Sequence, residues 1–197
     1  MRVNRETQAE HRAAMLEQAG RLFRGRGIEA VTVADVTRAA GLTHGAFYGH
    51  FTSKSALAAD SCRDSLATSA ERWRRRAARA EAAGQDPAGV LIDGYLTEAH
   101  RDAPDTGCAL AALGAESVRD PGLRSAMAEG ASALAAVLAS CLAARPAPPP
   151  DPAGTAQAIL ALLTGGLLIA RTLADDETAS AAALAAARTA AHRLATS

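Results

Sequence analysis

Residues 32–54 read TVADVTRAAGLTHGAFYGHFTSK, and this stretch decides the fold. Thr32 is a favoured helix N-cap, and Asp35 follows three positions later, where an acidic side chain can complete a capping box. Gly41 can adopt the left-handed conformation that ends a helix, and Thr43 is a favoured N-cap for a second helix. The stretch therefore predicts two short helices joined by a tight turn that contains glycine.

The second of these helices is predicted at about residues 43–50. Phe47 and Phe51 are one helical turn apart, so they can bury an aromatic edge against the apolar face of the first helix, which includes Val36. Two helices joined by a turn of three or four residues form the helix-turn-helix, which reads DNA with its second helix. We expect residues 43–50 to be that recognition helix.

This stretch resembles the N-terminal domain of the tetracycline-repressor (TetR/AcrR) family of transcriptional regulators. The likeness runs from GRLFRGRGIEAVTV through AGLTHGAFYGHFTSKSALAA, and GCALAALGAE is similar to a segment common in one branch of the family. The resemblance implies an all-α protein with a DNA-binding domain at residues 1–53 and a helical ligand-binding and dimerisation body at residues 54–197. It also implies release from DNA when a small molecule binds, with repression as the usual mode.

The charge of the chain is zero overall but unevenly distributed. Of the 197 residues, 21 are Lys or Arg and 21 are Asp or Glu. Residues 1–54 carry eight basic against five acidic side chains, a net +3, whereas residues 87–197 carry seven against eleven, a net −4. A mildly basic N-terminal region on an acidic body is compatible with nucleic-acid binding at one end.

Cysteine usage and hydropathy predict a soluble, cytoplasmic protein. Cys62, Cys108 and Cys141 are far apart and lack the spacing of metal ligands, so we expect neither a metal site nor a disulfide framework. The N-terminus is polar and lacks the apolar core of a signal peptide. The apolar run at residues 158–170 is too short for a membrane span, which needs about 20 residues.

Three Asp-Pro pairs mark predicted helix starts in the rest of the chain, because Asp is a favoured N-cap and Pro is favoured at the first helical position. Together with apolar periodicity they predict an α-helical body and about nine helices in all. Besides the two short helices, the predicted helices are Thr7–Arg26, Lys54–Ala83, Pro87–Arg101, Gly107–Val118, Pro121–Ala144, Pro152–Leu173 and a last one from after Asp176 to about Leu194.

DNA contacts are expected on the recognition-helix face opposite Phe47 and Phe51. At 3.6 residues per turn this face carries Gly45 and Gly49, so either the helix backbone approaches the base edges closely or glycine is merely tolerated there. Thr43 and His44 are expected to read bases, and Thr32, Tyr48, His50 and Lys54 to bind phosphates. The family resemblance implies the phosphate role at Tyr48, His50 and Lys54. The predicted DNA-binding set is Thr32, Thr43, His44, Gly45, Tyr48, Gly49, His50 and Lys54.

The N-terminal arginines allow two interpretations. Arg2, Arg5 and Arg12 precede or open the first predicted helix. They form either a solvated terminus or an arm that touches the DNA backbone.

The body is predicted to bind a small apolar effector, because a buried helical bundle with a mixed lining can hold one. Trp73 is the only tryptophan, and it either anchors the long helix on its neighbours or forms part of the pocket wall. The alternative interpretation of each candidate is an ordinary core residue. The candidates are Leu66, Trp73, Leu91, Tyr95, Cys108, Leu110, Met127 and Leu134.

A homodimer is predicted through the last two helices. Helix 152–173 is apolar on nearly all sides, which indicates burial on nearly all sides, and a second subunit would supply that. The family resemblance implies the same four-helix interface. The predicted interface residues are Ile159, Leu160, Leu163, Leu167, Leu168 and Leu184.

The sequence therefore predicts a ligand-responsive repressor that binds a palindromic operator in double-stranded DNA. No catalytic constellation is present, so neither an enzyme nor a cofactor is expected. Two alternatives remain open. One is a helix-turn-helix protein that binds DNA without responding to a ligand. The other is a redox or electrophile sensor that acts through Cys108, which lies at a predicted helix start where a thiol pKa is lowered.

Overall fold

A computed structural model of the chain describes residues 5–197, and every regular element in that range is an α-helix. There are ten helices in the described residues: α1 Arg5–Arg26, α2 Val33–Ala39, α3 His44–Phe47, α4 Lys54–Ala82, α5 Pro87–Tyr95, α6 Glu98–Asp102, α7 Ala109–Ser117, α8 Pro121–Ala143, α9 Pro152–Thr172 and α10 Glu177–Thr196. The predicted all-α class is confirmed.

Most predicted helix starts are confirmed by their side-chain caps. The Asp86 and Asp151 carboxylates accept hydrogen bonds from the amides of Gly89 and Gly154, in each case with proline at the first helical position. Asp120 accepts from the amide of Leu123 at 2.9 Å in the same way. These bonds satisfy amides that have no partner inside the helix, which explains why each Asp-Pro pair begins one.

The predicted helix Pro87–Arg101 was wrong as a single element, because the chain breaks it into α5 and α6. Leu96 leaves the helical region with φ −90° and ψ 68°, and its side chain is buried. Thr97 then caps α6 by accepting a hydrogen bond from the amide of His100 at 3.1 Å. Two features outweigh the continuous helical pattern. Thr97 caps a new helix, and the backbone leaves the helix at Leu96, whose side chain is buried. The break raises the number of helices from nine to ten.

Packing divides the described chain into two compact units. The first contains residues 5–66 and 105–129, so α7 and the start of α8 pack with the N-terminal helices. Arg24 donates to the carbonyl of Asp105 at 2.9 Å, and the Glu116 carboxylate accepts from the amide of Ile28 at 3.2 Å. The predicted functional boundary after residue 53 stays a prediction, since compactness does not test it.

The core of the first unit is formed by fully buried aromatic and aliphatic side chains. Phe23 of α1, Val36 of α2 and Phe47 of α3 are each at most 1% exposed. Phe47 also stacks at a tilt on Phe51, with ring centroids 5.7 Å apart. The aromatic edge predicted for the recognition helix is therefore buried, and α3 packs on α2.

The second unit contains residues 67–104 and 130–197, and its centre is the packing of α9 on α10. Ile159, Leu163 and Leu167 of α9 are fully buried, and Leu184 of α10 is nearly so. Gly166 allows the two helices to approach closely, because a methyl group added there would overlap the Cβ of Ala187. Small residues at the crossing therefore set the distance between the helices.

Two helices, α8 and α9, are long and apolar enough to cross a membrane by length and composition alone. Core helices of a soluble protein satisfy the same two criteria. In α9 the fully buried leucines Leu163 and Leu167 belong to the packing of this helix on α10.

Arg145 ties three elements of the second unit together. Its guanidinium donates two hydrogen bonds to the Asp86 carboxylate at the start of α5, one of them 3.1 Å long, and another to the carbonyl of Ala195 near the end of α10. Burial alone would raise the pKa of the Asp86 carboxyl, but the guanidinium and the helix amides lower it overall. The pair is therefore a pH-dependent contribution to stability.

Replacing Arg145 with methionine is expected to lower the free energy of unfolding at pH 7 by about 1 kcal/mol, the value of a partly exposed ion pair. Since the folded-state pKa of Asp86 is depressed, its contribution is present above its unfolded value of about 4 and is lost as the pH falls through the folded value. The difference in free energy of unfolding between wild type and Arg145→Met, measured by urea titration, should therefore become smaller below pH 4. An Arg119→Met variant, which removes an exposed arginine, is the control. If wild type and Arg145→Met differ equally in free energy of unfolding at pH 7 and pH 3, the Arg145–Asp86 ion pair does not contribute as described.

Candidate nucleic-acid interface

The helix-turn-helix forms between Thr32 and Phe51 as the residue pattern predicts. The Thr32 side chain accepts from the amide of Asp35 and the Asp35 carboxylate accepts from the amide of Thr32, so the capping box is complete. Gly41 has φ 69°, the left-handed conformation that ends α2. The amide of Leu42 then bonds the carbonyl of Thr37 at 2.8 Å and closes the turn.

The recognition helix is shorter than the predicted span 43–50. Only His44–Phe47 is α-helical, and residues 48–50 continue as turns held by i→i+3 bonds, such as Gly49 to the carbonyl of Ala46. Thr43 occupies the N-cap position, but its side chain makes no capping hydrogen bond. Two poor helix formers, Gly45 and Gly49, and an incomplete cap explain the short helix.

The exposed face of this segment is the one predicted to meet DNA. Tyr48 is 65% exposed, although it is a large aromatic side chain. His44 packs edge-on against it, with ring centroids 5.6 Å apart, and Gly45 has open space where a side chain would be. The result is a pair of edge-on rings beside a bare stretch of backbone.

His50 is only partly exposed and belongs to a basic cluster at the same surface. Its ring lies 6.4 Å from that of His11, edge to face. Burial first, and then the positive charges of His11 and Arg12, lower the pKa of His50. The imidazole of the free protein is therefore harder to protonate than that of an ordinary histidine, and a ring N–H can donate one hydrogen bond to a phosphate.

Two predicted phosphate ligands already have partners inside the protein. The Thr32 hydroxyl donates to the Asp35 carboxylate at 2.7 Å in addition to its capping bond. The Lys54 ammonium donates to the carbonyls of Ile28 and Val31 at 2.9 and 3.2 Å, and to a third, at Glu29, at 3.4 Å.

The N-terminal arginines differ in their surroundings. Arg2 lies outside the described residues, and Arg5 is exposed. Arg12 donates to the Asp60 carboxylate at 2.6 Å, and its guanidinium lies 5.1 Å from the centre of the Phe51 ring. Arg12 therefore links α1 to α4 and packs on the helix-turn-helix core.

The predicted effector-pocket residues are mostly core. Leu66, Leu91, Tyr95, Cys108, Met127 and Leu134 are buried, and Trp73 and Leu110 are half-buried. They fall in both units, Leu66, Cys108, Leu110 and Met127 in the first and the rest in the second. As a pocket they stay a prediction.

Trp73 anchors an aromatic cluster in the second unit. Its ring meets Tyr95 edge-on at 5.9 Å, and Tyr95 meets His100 at 4.5 Å. The Nδ1 atom of His100 bonds the carbonyl of Tyr95 at 2.8 Å, and burial lowers the pKa of His100. These contacts favour the anchor interpretation of Trp73. Sequence spacing placed His100 in a single helix with Tyr95 and so missed the turn that brings its ring back onto the tyrosine.

An open groove of about 420 Å³ lies elsewhere in the second unit. It contains none of the predicted pocket residues. The lining is small and apolar apart from the charged Arg74 and Glu81 and the hydroxyl of Ser140, so its residues carry no pattern that sequence inspection could have found. The other lining residues are Ala77, Ala78, Pro87, Ala136, Val137, Cys141 and Ala144.

Of the six predicted interface residues, five are buried within the single chain: Ile159, Leu160, Leu163, Leu167 and Leu184. Leu168 is 52% exposed, and its neighbour Ile169, which is not among the six predicted interface residues, is 55% exposed. The apolar pattern of α9 therefore combines a buried side, which packs on α10, with a side at Leu168 and Ile169 that stays exposed in the single chain.

All three cysteines are free and buried. Burial raises the pKa of Cys62 to about 12 and also raises that of Cys141, so both thiols stay protonated. Cys108 is the N-cap of α7, at the predicted position, but its side chain makes no capping hydrogen bond and is 6% exposed. A sensor role for Cys108 stays a prediction.

These features define a class of protein, an all-α helix-turn-helix protein with a helical body. A profile of the tetR family of bacterial regulatory proteins matches residues 15–60. A second profile, the C-terminal domain of LmrA/YxaF-like transcriptional regulators, matches residues 90–191, which is more than half of the chain. The chain belongs to the TetR family of transcriptional regulators, and both profiles define regulators rather than enzymes.

Relatives and solved structures agree with this assignment. The transcriptional regulator TtgR of Pseudomonas putida is 42% identical over 57 residues, which are 29% of this chain and 27% of TtgR. Reduced NemR of E. coli superposes with a TM-score of 0.75 at 23% identity, over 91% of this chain and 96% of NemR. A TetR-family regulator from Cytophaga hutchinsonii gives 0.76 at 19% identity, over 98% of both chains. The structural likenesses show the fold, and the sequence likeness to TtgR covers 57 residues, about a quarter of TtgR's own length.

Proposed function

We propose that this protein is a ligand-responsive transcriptional repressor that binds a palindromic DNA operator as a homodimer and leaves it when a small molecule binds. The observation that carries the proposal is the surface of α3. There Tyr48, 65% exposed, stands beside His44 and the bare backbone of Gly45, while Phe47 on the opposite side is buried. Tyrosine, which combines an apolar ring with a polar hydroxyl, is favoured at surfaces that contact a partner.

In the DNA complex, position and sequence would be read by different residues. Thr43 and His44 lie at the start of α3 and would contact base edges, His44 as a donor to a guanine acceptor. The Tyr48 hydroxyl and the ring of His50 would bind phosphates and fix the register. Since only a few side chains reach bases, the fit of the α3 backbone in the groove would carry much of the discrimination.

The second copy would pack on the exposed parts of α9 and α10. Leu168 and Ile169 are adjacent exposed apolar side chains on α9. On α10, a broad shallow depression of about 740 Å³ is lined mainly by small side chains from Ala185 to Ser197. Apolar side chains and small residues on two neighbouring helices suit a helix-to-helix interface. A two-fold dimer presents two DNA-binding domains, here called heads, each formed by residues 1–53. The two-fold symmetry of the heads is the reason for a palindromic operator.

The effector would be a small, largely apolar molecule, and the groove beside Arg74 and Glu81 is the candidate site in the second unit. Its volume of about 420 Å³ is in the range of small-molecule sites. Release from DNA requires that the effector prefer the released conformation. A protein whose operator affinity never changes with such molecules would be the ligand-independent DNA binder instead.

The experiment is enrichment of duplexes from a random DNA pool, followed by affinity measurements with two variants. Tyr48→Phe removes one phosphate hydrogen bond per head and should weaken all duplexes by about three- to tenfold without changing their ranking. His44→Ala should relax the preference at one position in each half-site, by about 1–3 kcal/mol for the base it reads. Sequencing of the enriched pools checks both results.

Failure to enrich an inverted repeat contradicts the dimeric reader. Equal preferences in wild type and His44→Ala contradict base reading by His44. An Arg119→Met variant, altered at an exposed residue outside the helix-turn-helix, should enrich the wild-type repeat and controls for general effects of substitution.

A further inference from the structure

Two histidines from different elements meet in the helix-turn-helix unit. His11 lies on α1, and His50 lies in the turn that follows α3. Their rings are arranged edge to face with centroids 6.4 Å apart, and both side chains are partly exposed. His50 is among the predicted phosphate ligands, whereas His11 has no role so far. The fold therefore places a second imidazole beside a residue that is expected to bind the DNA backbone.

The ring nitrogens of this histidine pair are not used by the fold. Within residues 5–197, neither ring forms a hydrogen bond to another side chain or to the backbone. Two histidines of the second unit differ, because His100 bonds the carbonyl of Tyr95 and His192 bonds the Asp93 carboxylate, each at 2.8 Å. A neutral imidazole carries one N–H donor and an imidazolium carries two. The pair therefore has donors to offer to an anion.

A network of ion pairs beside the two histidines runs from α1 through α4 to α8. Arg12, which follows His11 in α1, donates to the Asp60 carboxylate of α4 at 2.6 Å. Asp60 also accepts from Arg63 at 2.9 Å, and Arg63 donates to the Glu129 carboxylate of α8 at 2.9 Å. Arginines therefore hold both carboxylates, and neither carboxylate forms an ion pair with an imidazole of the described residues.

The surroundings make the histidine pair hard to protonate in the free protein. Burial, and after it the positive charges of His11 and Arg12, lower the pKa of His50. Because a charge on one imidazole opposes a charge on the other, the titration belongs to the pair rather than to either ring. A phosphate beside the rings has the reverse effect, since an opposite charge nearby stabilises an imidazolium. The pair is therefore able to gain a proton when a phosphate arrives.

We propose that His11 and His50 form one phosphate site in each head, and that this site takes up a proton from the solvent when the DNA backbone enters it. The imidazolium formed in this way and the ring that stays neutral each donate a hydrogen bond to the phosphate oxygens. The proposal rests on the proposed DNA-binding function and adds His11 to it. Because binding takes up a proton, the affinity for DNA rises as the pH falls.

The experiment measures affinity at pH 8 and pH 6, at constant ionic strength, for a duplex enriched from a random pool and for a scrambled duplex of the same length. Uptake of one proton per head raises the affinity of that head by up to about tenfold per pH unit. Wild type should therefore bind both duplexes at least about tenfold more tightly at pH 6, since every sequence has phosphates. His44 also titrates, but as a base reader it acts on the enriched duplex alone, so the scrambled duplex isolates the phosphate site.

Glutamine variants identify the groups that take up the proton. His11→Gln keeps a neutral N–H donor but cannot be protonated, so it should match wild type within about twofold at pH 8 and lose most of the gain at pH 6. His50→Gln should lose the gain in the same way, and the double variant should lose no more than either single variant, because the two rings share one proton. His192→Gln removes a histidine of α10 and is the matched control, which should keep the wild-type gain. Thermal melting at each pH shows whether the variants are folded.

Three results overturn the proposal. The first is a full gain at pH 6 in folded His11→Gln. The second is a wild type whose affinity for the scrambled duplex is the same at both pH values. The third is a gain confined to the enriched duplex, which would identify His44 as the group that is protonated.

The same measurements separate this site from the operator. If no inverted repeat is enriched but the scrambled duplex shows a gain that depends on His11, the operator proposal fails and the phosphate site stands. If a repeat is enriched and bound without such a gain, the operator stands and the phosphate site fails. A protein that binds neither duplex at either pH contradicts both.

Discussion

Replacing Gly45 with alanine is expected to weaken operator binding by about thirtyfold or more while leaving the protein at least as stable as wild type. A methyl group at Gly45 meets nothing within 4 Å in the free protein, so the substitution introduces no clash. Alanine is favoured over glycine in a helix by up to about 1 kcal/mol, which can only add stability. If the backbone of α3 approaches the base edges, the same methyl group enters that contact, and overpacking costs about 1–3 kcal/mol per head.

Gly45→Ala is informative because its affinity for DNA is expected to fall while its free energy of unfolding does not. Fluorescence anisotropy with the enriched duplex gives the affinity, and urea unfolding gives the stability. Gly114→Ala is the matched control: Gly114 also lies in a helix of the first unit with nothing within 4 Å, but on α7 rather than α3. Unchanged affinity in Gly45→Ala would mean that glycine is merely tolerated at this position and that side chains alone read the operator.

The elements that could be predicted from the sequence are those set by local chemistry. Thr32 with Asp35, Gly41 and the aspartate before each helix-starting proline act through bonds within three or four residues, and the structure forms them. The break at Leu96 was missed because it depends on where a buried side chain must go. The bonds of Lys54 were missed for a similar reason, since they join residues that only the tertiary fold brings together.

The same distinction holds for the candidate sites. The exposed face of α3 follows from helical geometry once Phe47 and Phe51 are placed inside. The groove in the second unit is formed mainly by alanines, which share no periodicity or chemistry that marks a site. The exposed part of α9 could not be separated from its buried part, because the nearly all-round apolar pattern gives no sign of which side α10 covers.

Alanine at Gly166 is expected to have a large effect on stability, because the α9–α10 crossing has no room for it. The added Cβ would overlap that of Ala187 and lie 3.4 Å from the Leu96 side chain, and the first of these neighbours cannot rotate away. Overpacking of this kind costs about 1–3 kcal/mol, only partly offset by the better helix propensity of alanine. Gly165 provides the comparison, since a methyl group there meets nothing within 4 Å in the single chain.

The Gly166→Ala and Gly165→Ala variants should therefore differ by about 1–3 kcal/mol in urea unfolding at equal protein concentration, with Gly166→Ala the less stable, because both gain the same helix propensity. Equal stabilities would contradict the close packing of α9 on α10. Sedimentation of the same variants measures their oligomeric state. If Gly165→Ala keeps its fold but dissociates at concentrations where wild type is dimeric, a second copy closes on the α9 face that carries Gly165, because nothing in the single chain meets a methyl group there.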